Sequence, residues 1–88
     1  MQSDALTEDS LESLIADEVS RARRRAHLSQ REMATRAGVT QAAVSRLESG
    51  DRLPRLETLL ALAEASGHVL EIRLKRPRQG GGSSLRRG

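Results

Sequence analysis

The side chains of this chain that could do chemistry are charged and hydrogen-bonding ones. Fifteen Lys and Arg stand against twelve Asp and Glu, with two His and no Cys. Without a thiol there is no disulfide framework and no thiolate metal site. The carboxylates show no pairing pattern, His27 has no second His nearby, and no phosphate-binding glycine loop occurs. An enzyme, a metal or a cofactor is therefore not the expectation. What remains is concentrated between Ser29 and Gly50, SQREMATRAGVTQAAVSRLESG. Ser29 and Glu32 form an S-x-x-E capping box, so a helix starts at Gln30. Met33, Ala34 and Ala37 repeat at helical spacing and give it an apolar face. Gly38 stops it, being the residue best able to take a positive φ. Thr40 caps a second helix. Val44 and Leu47 of that helix point inward, and Gly50 ends it.

Helices of about nine residues or fewer do not stand alone in water. These two must pack on something, and the turn between them is too short to make them antiparallel neighbours. The pattern is helix-turn-helix, whose second helix can lie in a DNA major groove. Charge agrees. Residues 1–18 hold six acids and no Lys or Arg, whereas the rest hold all fifteen basic and six acidic side chains, or +9. So basic a body suits a polyanion, although charge alone also fits a merely solvated surface with an acidic end. The chain has no Phe, Tyr or Trp. That argues against base-stacking RNA modules and leaves a core of Leu, Ile, Val, Met and Ala. Its 88 residues are enough for one small domain. No signal peptide is evident, and no run reaches the ~18 apolar residues of a membrane span. The expected location is cytoplasmic.

The elements that must position this stretch follow in order. Residues 1–9 read as a flexible acidic tail. Asp9 and Glu12 suit the cap of a first helix over about 10–26, whose stripe is Leu11, Leu14, Ile15, Val19, Ala22 and Ala26. Arg21, Arg23, Arg24 and Arg25 sit at its C-terminal end, where they complement the helix dipole. Arg23 would instead pair with Glu48 if the first and third helices touch, a structural role. Leu28 suits a hydrophobic staple with Met33, and His27 reads as a loop residue. After the charged loop DRLPR, Leu56, Leu59, Leu60, Leu62 and Ala63 mark a fourth helix, expected to floor the core and to stop at Gly67. Residues 10–67 thus form the domain.

Leu70, Ile72 and Leu74 then alternate with Glu71, Arg73 and Lys75, the period of a strand. A strand needs a partner for its backbone groups, and no other segment reads as one. The simplest partner is a second copy, antiparallel about a two-fold axis. Residues 68–75 are therefore expected to join a homodimer, with Leu70, Glu71, Ile72 and Leu74 at the interface. The alternatives are a continued fourth helix or a segment trailing over the core. Residues 76–88, rich in Gly, Ser and Arg, read as a disordered basic tail.

LSQREMATRAGVTQAAVSRLESGDRLPRLETLLALAEASG resembles the XRE or Cro/cI-type helix-turn-helix family, over roughly residues 11–67. The resembling positions are the L-S-Q entry, the A-G-V-T-Q turn, the V-S-R-L-E-S-G exit and the P-x-L-E-T-L start of the next helix. The following strand looks like that of HipB-type antitoxins, with HigA-type antitoxins as close relatives. The resemblance implies a four-helix, lambda-repressor-like all-α domain plus one strand pairing in a dimer. Two departures stand out: Arg55 where relatives often have a capping Ser or Thr, and Ser66 where a core Leu is common.

The resemblance also implies that the third helix, Gln41 to Ser49, enters the major groove with Thr40, Gln41, Ala42, Ser45 and Arg46 facing bases. Gln41 can pair with adenine, Arg46 with guanine, and Ala42 can touch a thymine methyl. Ser29, Gln30, Arg31, Ser49, Arg52 and Arg55 are candidates for phosphate, with Gln30 also bracing Gln41. For each surface Arg the alternative is solvation, preferred for Arg36. A dimer would read an inverted repeat with half-sites about 34 Å, or ~10 bp, apart. The expected function is a transcriptional repressor, and beyond that an antitoxin repressing its own operon. Its partners would be double-stranded DNA, itself and a cognate toxin, with no membrane. A stand-alone regulator and a protein adaptor reusing the fold are the alternatives.

Overall fold

A computed structural model describes residues 8–77. Four helices follow one another: α1 (Glu8–Arg25), α2 (Gln30–Ala37), α3 (Gln41–Glu48) and α4 (Leu56–Ala65). The first helix begins earlier than its sequence suggests. Asp9 has helical backbone and so cannot be the cap, which requires a non-helical one; Glu8 and Asp9 belong to α1 rather than to the tail. The rest of the expected N-terminal tail, residues 1–7, and residues 78–88 of the C-terminal tail lie outside the described residues.

All four helices close with the same paired hydrogen bonds. At the end of α2, Gly38 (φ 75°) donates its N–H to Thr35 O at 3.3 Å and Val39 donates to Ala34 O at 3.0 Å. This is a Schellman motif, which needs a left-handed residue just past the helix. At the end of α1 the left-handed residue is His27 (φ 59°), not a glycine. Its N–H reaches Arg24 O at 3.0 Å, and Leu28 N–H reaches Arg23 O at 3.1 Å. His27 is therefore a strained helix stop, more than the loop residue its sequence setting suggests.

The core is aliphatic. Met33, Leu62 and Val44 are almost wholly buried, with Val19, Leu28, Ala34 and Leu47 packed around them. Leu28 and Met33 share this cluster, closing the staple across the α2 cap. Leu14, in the expected α1 stripe, is instead 49% exposed. The helix expected to floor the core does so on one side only. Leu62 of α4 is buried, while Leu56 and Leu60 are exposed. A helix apolar on nearly all sides cannot bury every face in one small chain.

Both departures from the family pattern have a local outcome. Arg55 precedes α4 with no side-chain cap. Ser66 is buried, and its hydroxyl hydrogen bonds back to Leu62 O (2.9 Å) and Ala63 O (3.0 Å). A buried hydroxyl so bonded is not left unsatisfied, and its bonds tie the side chain to the last turn of α4.

The strand expected over 68–75 is not formed within the described residues, because none of them supplies a second strand for its ladder. Nor does this segment continue α4, which ends at Ala65. Val69 and Leu74 are 89% and 98% exposed. Among the described residues no helix is long and apolar enough to cross a membrane.

Candidate nucleic-acid interface

The sequence QAAVSRLE folds as α3 because Thr40 stops the preceding turn. Thr40 has extended backbone, and its Oγ1 accepts the Ala43 N–H at 3.0 Å. Val44 and Leu47, three apart, then bury against the core and fix the rotation of the helix. The opposite face carries Thr40, Gln41, Ala42, Ser45 and Arg46, and every one of these is exposed. Short side chains at Ala42 and Ser45 let a groove edge approach the helix, with Gln41 and Arg46 as the two long polar reaches. Arg46 makes no ion pair with any described residue. The face therefore offers a carboxamide, which both donates and accepts, and a five-donor guanidinium.

The expected phosphate contacts divide by what their donors already do. Arg31, Arg52 and Arg55 are exposed. Ser49 has committed its hydroxyl proton to Arg46 O at 2.8 Å. At Ser29 the capping box is complete: Oγ accepts Glu32 N–H at 3.0 Å, and Ser29 N–H donates to Glu32 Oε1 at 2.8 Å. The Ser29 backbone N–H, and after it the hydroxyl, hold the Glu32 carboxyl below the usual carboxylate range. The positive end of α2 is thus already answered by a carboxylate of its own chain. Gln30 is half-buried, and its amide donates to Glu48 Oε1 at 3.1 Å rather than to Gln41.

Glu48 is the hub beneath this surface. Arg23 Nε donates to Glu48 Oε2 at 2.7 Å and Arg23 Nη2 to Glu48 Oε1 at 2.9 Å. Arg23 Nη1 also donates to Leu28 O at 2.9 Å. One guanidinium so ties α1 to α3 and to the connector entering α2. Burial pushes the Glu48 carboxyl up, but the hydrogen bonds from Arg23 and Gln30 outweigh it and hold it below the usual range. The same bond to Glu48 raises Arg23.

The Gln30–Glu48 bond and the left-handed His27 have no signal in spacing or residue type. The first depends on how α2 crosses α3, the second on where the chain leaves α1 to bring Leu28 into the core.

Residues 19–67 match the family model for helix-turn-helix proteins. The chain belongs to the XRE-type helix-turn-helix family. The matched span takes in the whole cap-turn-cap stretch and α4, and it stops where the period-two segment begins. This helix-turn-helix chain is also similar to an uncharacterized HTH-type transcriptional regulator of Haemophilus influenzae. The two are 34% identical over 67 residues, covering 76% of this chain and 68% of the relative. No solved structure matches it significantly.

Proposed function

We propose that this helix-turn-helix protein is a sequence-specific DNA-binding transcriptional repressor, working as a homodimer on an inverted-repeat operator. One observation carries the reading. The outer face of α3 is a continuous exposed strip of Thr40, Gln41, Ala42, Ser45 and Arg46, held in orientation by buried Val44 and Leu47. That is the shape and hydrogen-bonding equipment of a recognition helix. The similarity to an HTH-type transcriptional regulator supports it. Gln41 pairs with an adenine edge and Arg46 with a guanine edge. Arg31, Arg52 and Arg55 hold the flanking phosphates, and Gln30 contacts phosphate from its place against Glu48. Ser29 and Ser49 contribute less, because their hydroxyls are already engaged.

The finer reading is the antitoxin of a type II toxin–antitoxin operon, acting in the cytoplasm and repressing its own promoter. It is supported by the alternating segment 68–75 after the domain, which resembles the C-terminal strand of HipB-type antitoxins. The test of the DNA reading is a mobility shift of the DNA upstream of the gene, run at several salt concentrations against a random fragment. Specific binding that weakens as salt rises is the expected result. Equal affinity for both fragments overturns the sequence-specific reading, and no shift of either fragment favours the adaptor role. Copurification with a basic protein encoded beside this gene decides for the antitoxin reading, and its absence for the stand-alone regulator.

A further inference from the structure

Leu74 is 98% exposed, and Ile72 (63%), Leu56 (58%) and Leu60 (45%) are exposed as well. Leu70 and Ile72 line one cleft together with Leu56 and Leu60 of α4. That cleft opens beside a larger one of about 710 Å³ between α1, α4 and residues 68–72. The apolar edge of the segment therefore already leans on the uncovered side of α4, and Leu74 extends past it with nothing beneath.

We infer that a second copy of this chain covers this face, with residues 68–75 paired antiparallel in the single register centred on Ile72. The inference rests on the homodimer reading above and specifies its geometry. In an antiparallel pair about a two-fold axis, residues equally spaced on either side of the axis face each other. Centring on Ile72 places Leu70 opposite the partner's Leu74 and Glu71 opposite the partner's Arg73. Apolar side chains then share one face of the ribbon and opposite charges meet on the other. Moving the centre to Glu71 sets two carboxylates face to face. Moving it to Arg73 sets two guanidinium groups face to face. Like charges directly opposite destabilise a strand pair, and opposite charges stabilise it. A centre between residues puts Glu71 on the same face as Ile72, mixing charge into the apolar side.

The register also accounts for Leu74. Opposite the partner's Leu70, it lies over the partner's Leu56 and Leu60, covering the part of that helix its own core leaves open. The backbone N–H and C=O groups of 68–75 gain their ladder in the same step.

The test uses the absence of native cysteine. Single variants Glu71→Cys, Ile72→Cys and Arg73→Cys are exposed to mild oxidant as full-length protein, and disulfide-linked dimer is followed on non-reducing gels. Only a pair facing itself across the axis comes within the roughly 4.4–6.8 Å Cα separation of a disulfide; pairs displaced by two residues are about 7–8 Å apart or more. Ile72→Cys is expected to cross-link fastest. Separately, Glu71→Arg is expected to weaken the dimer about tenfold by sedimentation, and Glu71→Arg with Arg73→Glu to restore it. Fastest cross-linking at position 71 or 73, or rescue by Lys75→Glu instead of Arg73→Glu, overturns the register while the homodimer stands. A parent chain that sediments as a monomer while binding its operator overturns both.

Discussion

Arg23 and Glu48, twenty-five residues apart, meet through two parallel hydrogen bonds of 2.7 and 2.9 Å. The pair is largely shielded, with side-chain exposures of 15% and 7%. A bidentate fork of this kind fixes direction as well as distance. Through it the first helix holds the far end of the helix proposed to read DNA, and through Glu48 it also holds Gln30. Arg23→Ala leaves the carboxylate shielded and without its cation. It is expected to lower stability by about 3 kcal/mol, the lower end for breaking a buried pair, read as a fall in the urea midpoint. Arg23→Lys recovers little, because an ammonium cannot reproduce the fork. Full recovery by lysine would mean that charge alone matters.

The same carboxylate sets the acid limb of stability. Burial raises the Glu48 carboxyl, the Arg23 and Gln30 hydrogen bonds more than reverse this, and the folded value ends below the ordinary one. A group depressed on folding contributes fully above its unfolded value, about 4.3 for Glu. That contribution is lost as pH falls through the folded value. Glu32 is depressed as well and acts in the same direction. Stability is therefore expected to be level above about pH 5 and to fall on further acidification. Glu48→Gln should be less stable near neutrality and show a shallower acid limb. Urea midpoints from pH 3 to 7 measure both; parallel curves for parent and variant would remove Glu48 from this role.

His27 offers a gain. It occupies φ 59° at the end of α1, where the other three helices use glycine. A left-handed conformation costs an L-residue roughly 1–2 kcal/mol, partly offset by the extra entropy that glycine brings to the unfolded chain. His27→Gly is expected to stabilise the domain by about 1 kcal/mol, or a 4–8 °C rise in Tm. The motif's two hydrogen bonds come from backbone and survive the change. A lower Tm would show that the imidazole makes a contact worth more than the strain.

The local grammar of this chain was legible because it is local. Ser29 with Glu32, Thr40, Gly38 and Gly50 bound α2 and α3 through bonds spanning a few residues, and the observed helices begin and end at those marks. Burial of Met33, Val44 and Leu47 follows from helical spacing. Properties set by the rest of the molecule were not legible. Leu14, Leu56 and Leu60 are hydrophobic and at helical spacing, yet each is exposed. Periodicity gives a face but not how much of it one chain can cover. Ser66 stands where a core Leu is common, and residue type alone does not reveal that its hydroxyl bonds to the preceding turn. Gln30 has the same residue type whether it turns to Gln41 or to Glu48, and the crossing of α2 over α3 decides for Glu48. The period-two pattern over 68–75 forms no strand within the described residues, because a strand needs a partner for its backbone groups and the proposed partner is a second chain.

The core bears on how much of the chain the fold needs. Among the described residues its buried hydrophobic side chains lie between Ala16 and Leu62, and α4 closes at Gly67. Deleting residues 68–88 is expected to leave a helical domain that still melts cooperatively but sediments as a monomer. Its operator affinity should fall steeply, since two linked half-sites bind far better than separate ones. A truncated chain that remains a dimer would place the interface elsewhere, with the exposed Leu14 of α1 the first surface to examine.

Arg46 and Arg52 are both exposed arginines, and they are expected to fail differently. Arg46 lies on the outer face of α3, two residues from buried Val44 and next to buried Leu47, so its root is fixed by the core. Arg52 lies in the loop after α3. A guanidinium on a base edge discriminates among bases, and loss of one good bidentate contact costs about 1–3 kcal/mol. A guanidinium on phosphate contributes to every sequence alike, and its loss lowers the salt slope by about 1. Arg46→Ala should therefore weaken operator binding roughly 5- to 150-fold, relax preference at one base pair per half-site and leave random-DNA affinity nearly intact. Arg52→Ala should weaken both to a similar degree and flatten the salt dependence. Titrations of operator and random duplexes across salt separate the two. An Arg46→Ala loss equal on both duplexes would place Arg46 on the backbone and leave Gln41 as the long side chain of α3 able to read sequence.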